Sequence, residues 1–314
     1  MGYEPTEKDM NSYIEAYLQH MVGYRGLSDA TVKTYLQDLK TFKNFLELTG
    51  IADLRDVDRR TVRGFLVYLA DKNYQRSSIS RKLSVLRGFY RWLVTEDVLA
   101  VDPVPRRSTM KKEVKLPRFL TNDEVVRLID SPKSGTYSET LRNRDISLLE
   151  LVYASGLRVS EVHGLNIGDV DFHSKTVRVI GKGDKERLTL LGFPAKSTLQ
   201  RYINLDRPKV KGFDKSDSLF LSKQGSRLSI RSIQNLVKKY SRLAGLGNEV
   251  HTHTLRHSFA THLINGGADL RVVQDLLGHS SPSTTQIYTH VTGVEARKSY
   301  LNAHPMAKEL EEKI

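Results

Sequence analysis

KTVRVIGKGDKERLTLL, residues 175–191, sets two β-rich runs on either side of the turn GKGDK, the pattern of a hairpin. It stands in a half of the chain whose other segments read as helix. LTNDEVVRLID, residues 120–130, opens with Thr121 as N-cap and Glu124 three residues later, a capping box. A long helix follows from about Arg142 to Ser155 and stops at Gly156, and further helices run from Ser229 to the end. One hairpin among helices predicts a mainly α fold with a small β-sheet.

Working back toward the start, apolar residues recur at three- and four-residue intervals from Thr6 to about Leu99, which predicts four helices. The first holds Tyr13, Ile14, Tyr17, Leu18 and Met21. The second holds Tyr35, Leu39, Phe42, Phe45 and Leu46, with Ser28 or Asp29 as its cap. Val62, Phe65, Leu66 and Leu69 mark the third, and Ile79, Leu83, Leu86, Tyr90 and Leu93 the fourth. On a wheel of about 100° per residue, Arg76, Arg87 and Arg91 of the fourth helix fall together beside its apolar stripe, where a phosphate backbone can lie; a plain solvated face fits them equally well. Residues 100–117, AVDPVPRRSTMKKEVKLP, mix prolines with basic residues and read as a linker that straps a charged partner. The expected division is a helical domain over 6–99, the basic linker, a second domain over 118–300 and a tail over 301–314.

Composition narrows the classes. The chain has 314 residues, 39% hydrophobic and 27% charged, enough to bury a core in each half. It holds 49 Lys and Arg against 36 Asp and Glu, a net charge of +13, which suits a polyanion and puts nucleic acid first among partners. No apolar run approaches a membrane span and the start has no signal-peptide pattern, so a cytoplasmic protein without a membrane partner is expected. The opening MGYEPT matches the N-myristoylation pattern, but stable anchoring needs a second signal that is not found. With no cysteine, disulfides, thiolate metal sites and a Cys nucleophile are excluded.

Four segments of the second half place cations, imidazoles and a phenol at loops and helix starts. They are SGLRVSEV with Arg158 and Glu161, IGKGDK with Lys182, HTHTLRHSFATHL with His253 and Arg256, and GHSSPSTTQIYTHV with His279 and Tyr288. Cutting a phosphodiester without a metal or cofactor needs fixed cationic donors on the non-bridging oxygens, and the planar fork of arginine suits them; Arg158 and Arg256 form the pair. Lys182, on a glycine-flanked hairpin tip, can protonate an alkoxide leaving group. His253 and His279 can take the nucleophile's proton and hold the phosphate. Of the seven hydroxyls in 278–291, the phenol of Tyr288 is the easiest to ionise, since it titrates near about 10, several units below an aliphatic alcohol. A phenolate also leaves readily, which favours strand exchange over hydrolysis.

Taken in order, SGLRVSEV, the GKGDK turn, HTLRHSFATHL, LGHSS and TQIYTHV resemble the tyrosine recombinases of the phage integrase family, most of all its short Xer members. The resemblance spans nearly the whole chain. It implies an N-terminal helical core-binding domain of SAM-like fold and an α/β catalytic domain. It implies that Tyr288 attacks the scissile phosphate to form a 3′-phosphotyrosyl bond, that Arg158, Arg256 and His279 hold the phosphate, that His253 is the acid/base partner, that Lys182 protonates the leaving 5′-oxygen, and that Glu161 supports the site. It further implies a clamp on duplex DNA at a specific recombination site, a homotetramer on two such sites working through a Holliday junction, and a C-terminal tail that packs into a neighbouring protomer. A paralogous recombinase and a septal DNA translocase are further partners under the same resemblance, with chromosome-dimer resolution as the role.

Other readings stand beside this one. An integrase of a mobile element shares the motifs, and a type IB topoisomerase shares the chemistry. A non-cleaving DNA-binding protein of the same fold would be expected to lack Tyr288 or an arginine, and neither is missing. His253 and His257 have the i, i+4 spacing of some zinc sites, but without a neighbouring Glu or Cys no metal is expected. His251 and His257 read as structural, and Phe259 and Leu263 as core.

Overall fold

The computed structural model describes residues 9–27, 29–105, 118–134, 138–181, 186–278 and 290–307. The chain divides into two compact units, Met1–Val114 and Lys115–Ile314.

The first unit contains the four expected helices, α1 Met10–Arg25, α2 Asp29–Thr49, α3 Arg59–Asp71 and α4 Arg76–Thr95. Their apolar stripes meet in one core, in which Phe42 of α2 is set edge-on to Phe65 of α3 and Tyr90 of α4, with centroids 4.9 and 6.1 Å apart. Such edge-to-face pairs add about 0.5–1.5 kcal/mol each beyond the area they bury. Tyr13, Tyr35 and Leu66 sit at the margin of that core, partly buried. The pattern of apolar residues did not reveal a buried ion pair between α2 and α4. Lys82 Nζ lies 2.9 Å from Asp38 Oδ1 and donates to Thr41 Oγ1 at 2.9 Å, and Arg81 also pairs with Asp38.

In the second unit α5, Asn122–Asp130, carries the expected capping box: Thr121 N donates to Glu124 Oε2 at 2.9 Å and Glu124 N to Thr121 Oγ1 at 3.3 Å. The central helix is α6, Glu139–Ser155, whose Leu148, Leu149, Leu151, Val152 and Tyr153 are fully buried. It starts three residues before the sequence suggested and ends, as expected, on Gly156 in the left-handed region at φ 58°. α7, Val159–Gly164, and α8, Phe193–Arg201, are short helices that the apolar periodicity did not announce. After them come α9 Ile230–Leu243, α10 Thr252–Asn265, α11 Leu270–Leu277 and α12 His290–Ala303. Ser229 caps α9 by accepting from Ser232 N at 3.1 Å.

The hairpin forms as β2 Thr176–Ile180 against β3 Glu186–Leu190, and a two-residue strand, β1 Val170–Asp171, adds to it in the antiparallel order β1-β2-β3. Its register pairs Val177 with Thr189 and Val179 with Arg187. These four residues face inward and are buried, while Ile180 and Leu188 are more than half exposed. On β3, therefore, an arginine and a threonine go in and a leucine goes out.

Candidate active site

The site is assembled where α6 hands over to α7. Gly156 turns the chain, Leu157 is buried in the core, and Arg158 becomes the N-cap residue of α7. Glu161, three residues on, accepts from the backbone N of Arg158 at 2.7 Å through Oε2 and from its Nη1 at 2.9 Å through Oε1. The acidic residue thus closes the first turn of its helix and orients the arginine in one stroke. Arg256 arrives from α10. Its Nη1 donates to Gly156 O at 2.7 Å, its Nη2 to Leu277 O at 2.6 Å, and it stands 3.8 Å from Glu161 Oε2. Arg158 Nη1 reaches the same Leu277 carbonyl at 3.5 Å.

A third guanidinium, which the sequence reading did not single out, completes the group. Arg187 of β3 donates through Nη1 to Glu161 Oε1 at 2.8 Å, through Nη2 to Oε2 at 3.0 Å, and through Nε to Leu276 O at 3.2 Å. One carboxylate thus stands among three guanidiniums, which leaves two positive charges unmatched within the group. Burial pushes the Glu161 carboxyl up, but hydrogen bonds from Arg187 and Arg158 outweigh it and hold the group below its usual range. Burial, and then repulsion from Arg158, pulls the Arg256 guanidinium down to about 10, so it remains charged at neutral pH. Of the three, Arg158 reaches solvent, with its side chain 36% exposed, whereas those of Arg187 and Arg256 are 6% and 7% exposed.

His253 is exposed in the first turn of α10, one turn before Arg256. Lys182, His279 and Tyr288 lie outside the described residues, although the elements that carry them in and out are in place. β2 ends at Ile180 and β3 starts at Glu186 on either side of the Lys182 turn, α11 ends at Leu277 just before His279, and α12 begins at His290 just after Tyr288. Gly278, at φ 64°, closes α11 directly against the Arg187 side chain.

The other histidines sort differently from expectation. His251 is exposed at the cap of α10 and His257 is half-buried, its ring edge-on to Phe119. The deeply packed ones are His262, whose Nδ1 lies 2.8 Å from Tyr153 Oη, and His304, which is fully buried among the rings of Tyr153, Phe259 and Tyr300. Among the described residues no group of His, Asp and Glu side chains is arranged to hold a metal ion, and no helix is long and apolar enough to cross a membrane.

In the first unit the three arginines of α4 do not act alike. Arg87 turns its guanidinium to Pro105 O, at 3.1 and 2.9 Å, and so ties down the start of the linker. Arg87 and Arg91 line a cleft with Tyr17, His20, Tyr24 and Trp92, which Arg76, exposed at the start of the helix, does not join. A second cleft, between α2 and α4, is lined by Tyr74 and by Lys33, Arg81 and Lys82, three cations that the wheel did not pick out.

A helical unit with a small sheet holds one water-facing guanidinium backed by two buried ones, donors of the kind that suit an oxyanion. Comparison with known proteins identifies the class. Residues 118–294 match the phage integrase family and residues 14–97 match the phage integrase N-terminal SAM-like domain. The chain belongs to the phage integrase family, the tyrosine recombinases, enzymes that cleave and rejoin DNA. It is 40% identical over 301 residues to tyrosine recombinase XerD of Staphylococcus epidermidis, covering 95% of this chain and 100% of that one. It is equally 40% identical over 303 residues to tyrosine recombinase XerC of Natranaerobius thermophilus, with the same coverage of both chains. Its fold matches the crystal structure of the XerH site-specific recombinase in a post-cleavage complex on palindromic difH substrate, at a TM-score of 0.72 and 23% identity, over 95% of this chain and 98% of that one. It is thus an Xer-type recombinase, a site-specific DNA recombination enzyme.

Proposed function

We propose that this enzyme exchanges DNA strands through a 3′-phosphotyrosyl link to Tyr288 and a Holliday junction, and that its cellular task is the resolution of chromosome dimers. The observation that supports the chemistry is the centre formed by Arg158, Arg256 and Arg187 around Glu161. Its surplus positive charge fits a scissile phosphate, whose non-bridging oxygens carry charge through the transition state. In this reading Arg158, Arg256 and His279 hold the phosphate and His253 relieves the Tyr288 phenol of its proton as the oxygen attacks phosphorus. The bond to the 5′-oxygen breaks as Lys182 protonates it. Phosphotyrosine conserves the energy of the broken bond, so a 5′-hydroxyl from another strand reverses the step without a cofactor. Residues 6–99 serve as the core-binding domain, with Arg76, Arg87 and Arg91 toward DNA, 100–117 as the basic strap, 118–300 as the catalytic domain and 301–314 as the tail exchanged between protomers. Four protomers act on two sites in the cytoplasm, with a paralogous recombinase and a septal translocase as partners of the complex. The role in chromosome segregation draws support from relatives named XerD and XerC at about equal identity over nearly the whole chain.

A library of duplexes with a randomised core and a nick near the centre tests this. The nick lets the strand end diffuse away, so the covalent adduct accumulates. Wild-type protein is expected to give an adduct that survives denaturation and Tyr288→Phe none. No adduct with wild type, or an adduct with the Phe variant, refutes the chemistry. Sequencing the trapped DNA decides the role: a match near the replication terminus supports dimer resolution, and matches at the ends of a mobile element overturn it.

A further inference from the structure

Arg187 breaks the rule of its own strand. In ERLTL, with a side-chain period of two, the inward positions of β3 fall on Arg187 and Thr189, and the outward ones include Leu188, 59% exposed. Burying a guanidinium costs several kcal/mol unless its hydrogen bonds are met, and local departures of this kind collect at functional sites. Here three of its N–H groups are met within one cluster, two by Glu161 and one by the carbonyl of Leu276. Its side chain also packs on Gly278, where an added Cβ would come within 2.9 Å of its Cδ. The residue therefore joins three elements that belong together only in the site: the hairpin that carries Lys182, the start of α7 with Arg158 and Glu161, and the end of α11 that leads to His279.

We propose that Arg187 is a positioning residue for strand cleavage, acting through Glu161 to set Arg158 and Arg256 on the phosphate. It lies too deep to serve as a phosphate ligand itself, with a side chain 6% exposed against 36% for Arg158. Its leverage is geometric. Glu161 uses both oxygens twice over, each accepting from Arg187 and from Arg158, one through the Arg158 backbone N and one through its Nη1. Fixing the carboxylate from the sheet side therefore fixes the arginine on the solvent side. Displacements of about 1 Å in such a group cost on the order of 100-fold in rate. Arg187 also keeps Glu161 ionised. Among the described residues the charged groups facing that carboxylate are Arg158 on its own helix turn, Arg187 on β3 and Arg256 on α10.

The inference rests on the strand-transfer reading above, and the test separates the two. With the nicked duplex selected there, adduct formation is timed for wild type, Arg187→Met, Arg187→Lys, Glu161→Gln and the double variant Glu161→Gln/Arg187→Met, alongside DNA affinity by gel shift and melting by circular dichroism. Arg187→Met is expected to slow adduct formation about 100-fold with DNA affinity within about threefold, and to move the acid limb of the rate profile to higher pH. Arg187→Lys keeps the charge but not the fork, so it is expected to hold the fold and still slow the step about tenfold; if Arg187→Met fails to fold, this variant alone decides. In the Glu161→Gln background the Met substitution is expected to add less than about threefold, because the partner it works through is already neutral. Adduct formation at the wild-type rate by the folded Met or Lys variant overturns the proposal, as does a full multiplicative loss in the double variant. No adduct from wild type refutes the strand-transfer reading instead.

Discussion

Gly156→Ala strikes the turn on which Arg158 and Arg256 both depend. The glycine has φ +58°, and a Cβ there would stand 2.5 Å from Phe259 Cδ1, 2.9 Å from Cε1 and 3.0 Å from Leu277 Cδ2. Two costs add. Holding an L-residue in the left-handed region costs about 1–2 kcal/mol, and forcing a methyl into a packed interior about 1–3 kcal/mol. The ring cannot swing aside freely: Phe259 is 1% exposed and packs against Tyr300 and His304, with centroids 6.3 and 5.5 Å away. The expected loss is thus about 2–5 kcal/mol, confined to the second unit.

Urea unfolding checks this with an internal control, because the single tryptophan, Trp92, lies in α4 of the first unit. With a slope of about 2 kcal/mol per molar, the circular dichroism transition of the second unit moves down by about 1–2.5 M while the Trp92 fluorescence transition stays in place. Gly156→Ala/Phe259→Leu relieves the clash but not the backbone strain, so the pair should cost less than the sum of the single changes by about 1 kcal/mol or more. A loss below about 1 kcal/mol, or strict additivity, refutes the reasoning. Cleavage should fall with stability, because Gly156 O and Leu277 O both hold Arg256.

Two further perturbations test buried charge. His304, with neither ring nitrogen partnered among the described residues, has its pKa pulled from 6.5 to about 3 by burial and then by His262. The unfolded chain therefore takes up a proton that the folded one refuses, and stability present above about pH 6.5 is lost toward pH 3 at about 1.4 kcal/mol per unit. His304→Phe should flatten that slope in thermal melts of the second unit between pH 7 and 5, and an unchanged slope would count against the buried neutral imidazole. Lys82→Met leaves Asp38, whose side chain is 1% exposed, with Arg81 as its remaining cation. It should destabilise the first unit by about 3 kcal/mol, and Asp38→Leu/Lys82→Met should recover most of this; Trp92 fluorescence in urea reads both, and a Lys82→Met variant within about 1 kcal/mol of wild type would contradict the pair.

The sequence disclosed what local rules govern and hid what tertiary contact decides. Thr121 with Glu124, the stop at Gly156, the hairpin around GKGDK and the stripe of α4 follow from caps, turns and periodicity, and each is found in place. α7, of six residues, and α8, of nine, are too short to persist by propensity and form because the core of the second unit holds them. Arg158, Glu161 and Arg256 stand out in the sequence because they lie in SGLRVSEV and HTLRHSFATHL, motifs that carry the resemblance to the tyrosine recombinases, and the structure brings the three together. Arg187 was not, since a basic residue inside a strand reads as solvated until the register is known. The signal was nevertheless there: with Val177 and Val179 inward on β2, antiparallel pairing across the turn turns Arg187 inward as well. Arg87 is the opposite case, a residue placed correctly on its helix face whose guanidinium is partly committed to Pro105 O.

The presence of Glu161 raises a question of charge. A site meant only to attract DNA would gain from three bare guanidiniums, yet one carboxylate sits among them at 2.8, 2.9 and 3.8 Å. Contacts near 4 Å are worth about 4 kcal/mol each at an effective dielectric of 20, so the carboxylate makes the mutual repulsion of three neighbouring cations tolerable before DNA arrives. It also sets the sum: three positive charges and one negative leave +2. A phosphodiester in the ground state carries one negative charge, whereas attack by a phenolate carries the centre toward two. On the strand-transfer reading, a fixed surplus of +2 therefore matches the developing phosphorane better than the bound substrate, which is the condition for an electrostatic site to speed a step and not only to hold its ligand. Glu161→Gln would raise the surplus to +3 and tighten ground-state binding at the expense of that discrimination. The variant should then bind DNA at least as well as wild type at low salt while forming the covalent adduct more slowly. Weaker binding together with unchanged adduct formation would show that the carboxylate tunes affinity and not the step.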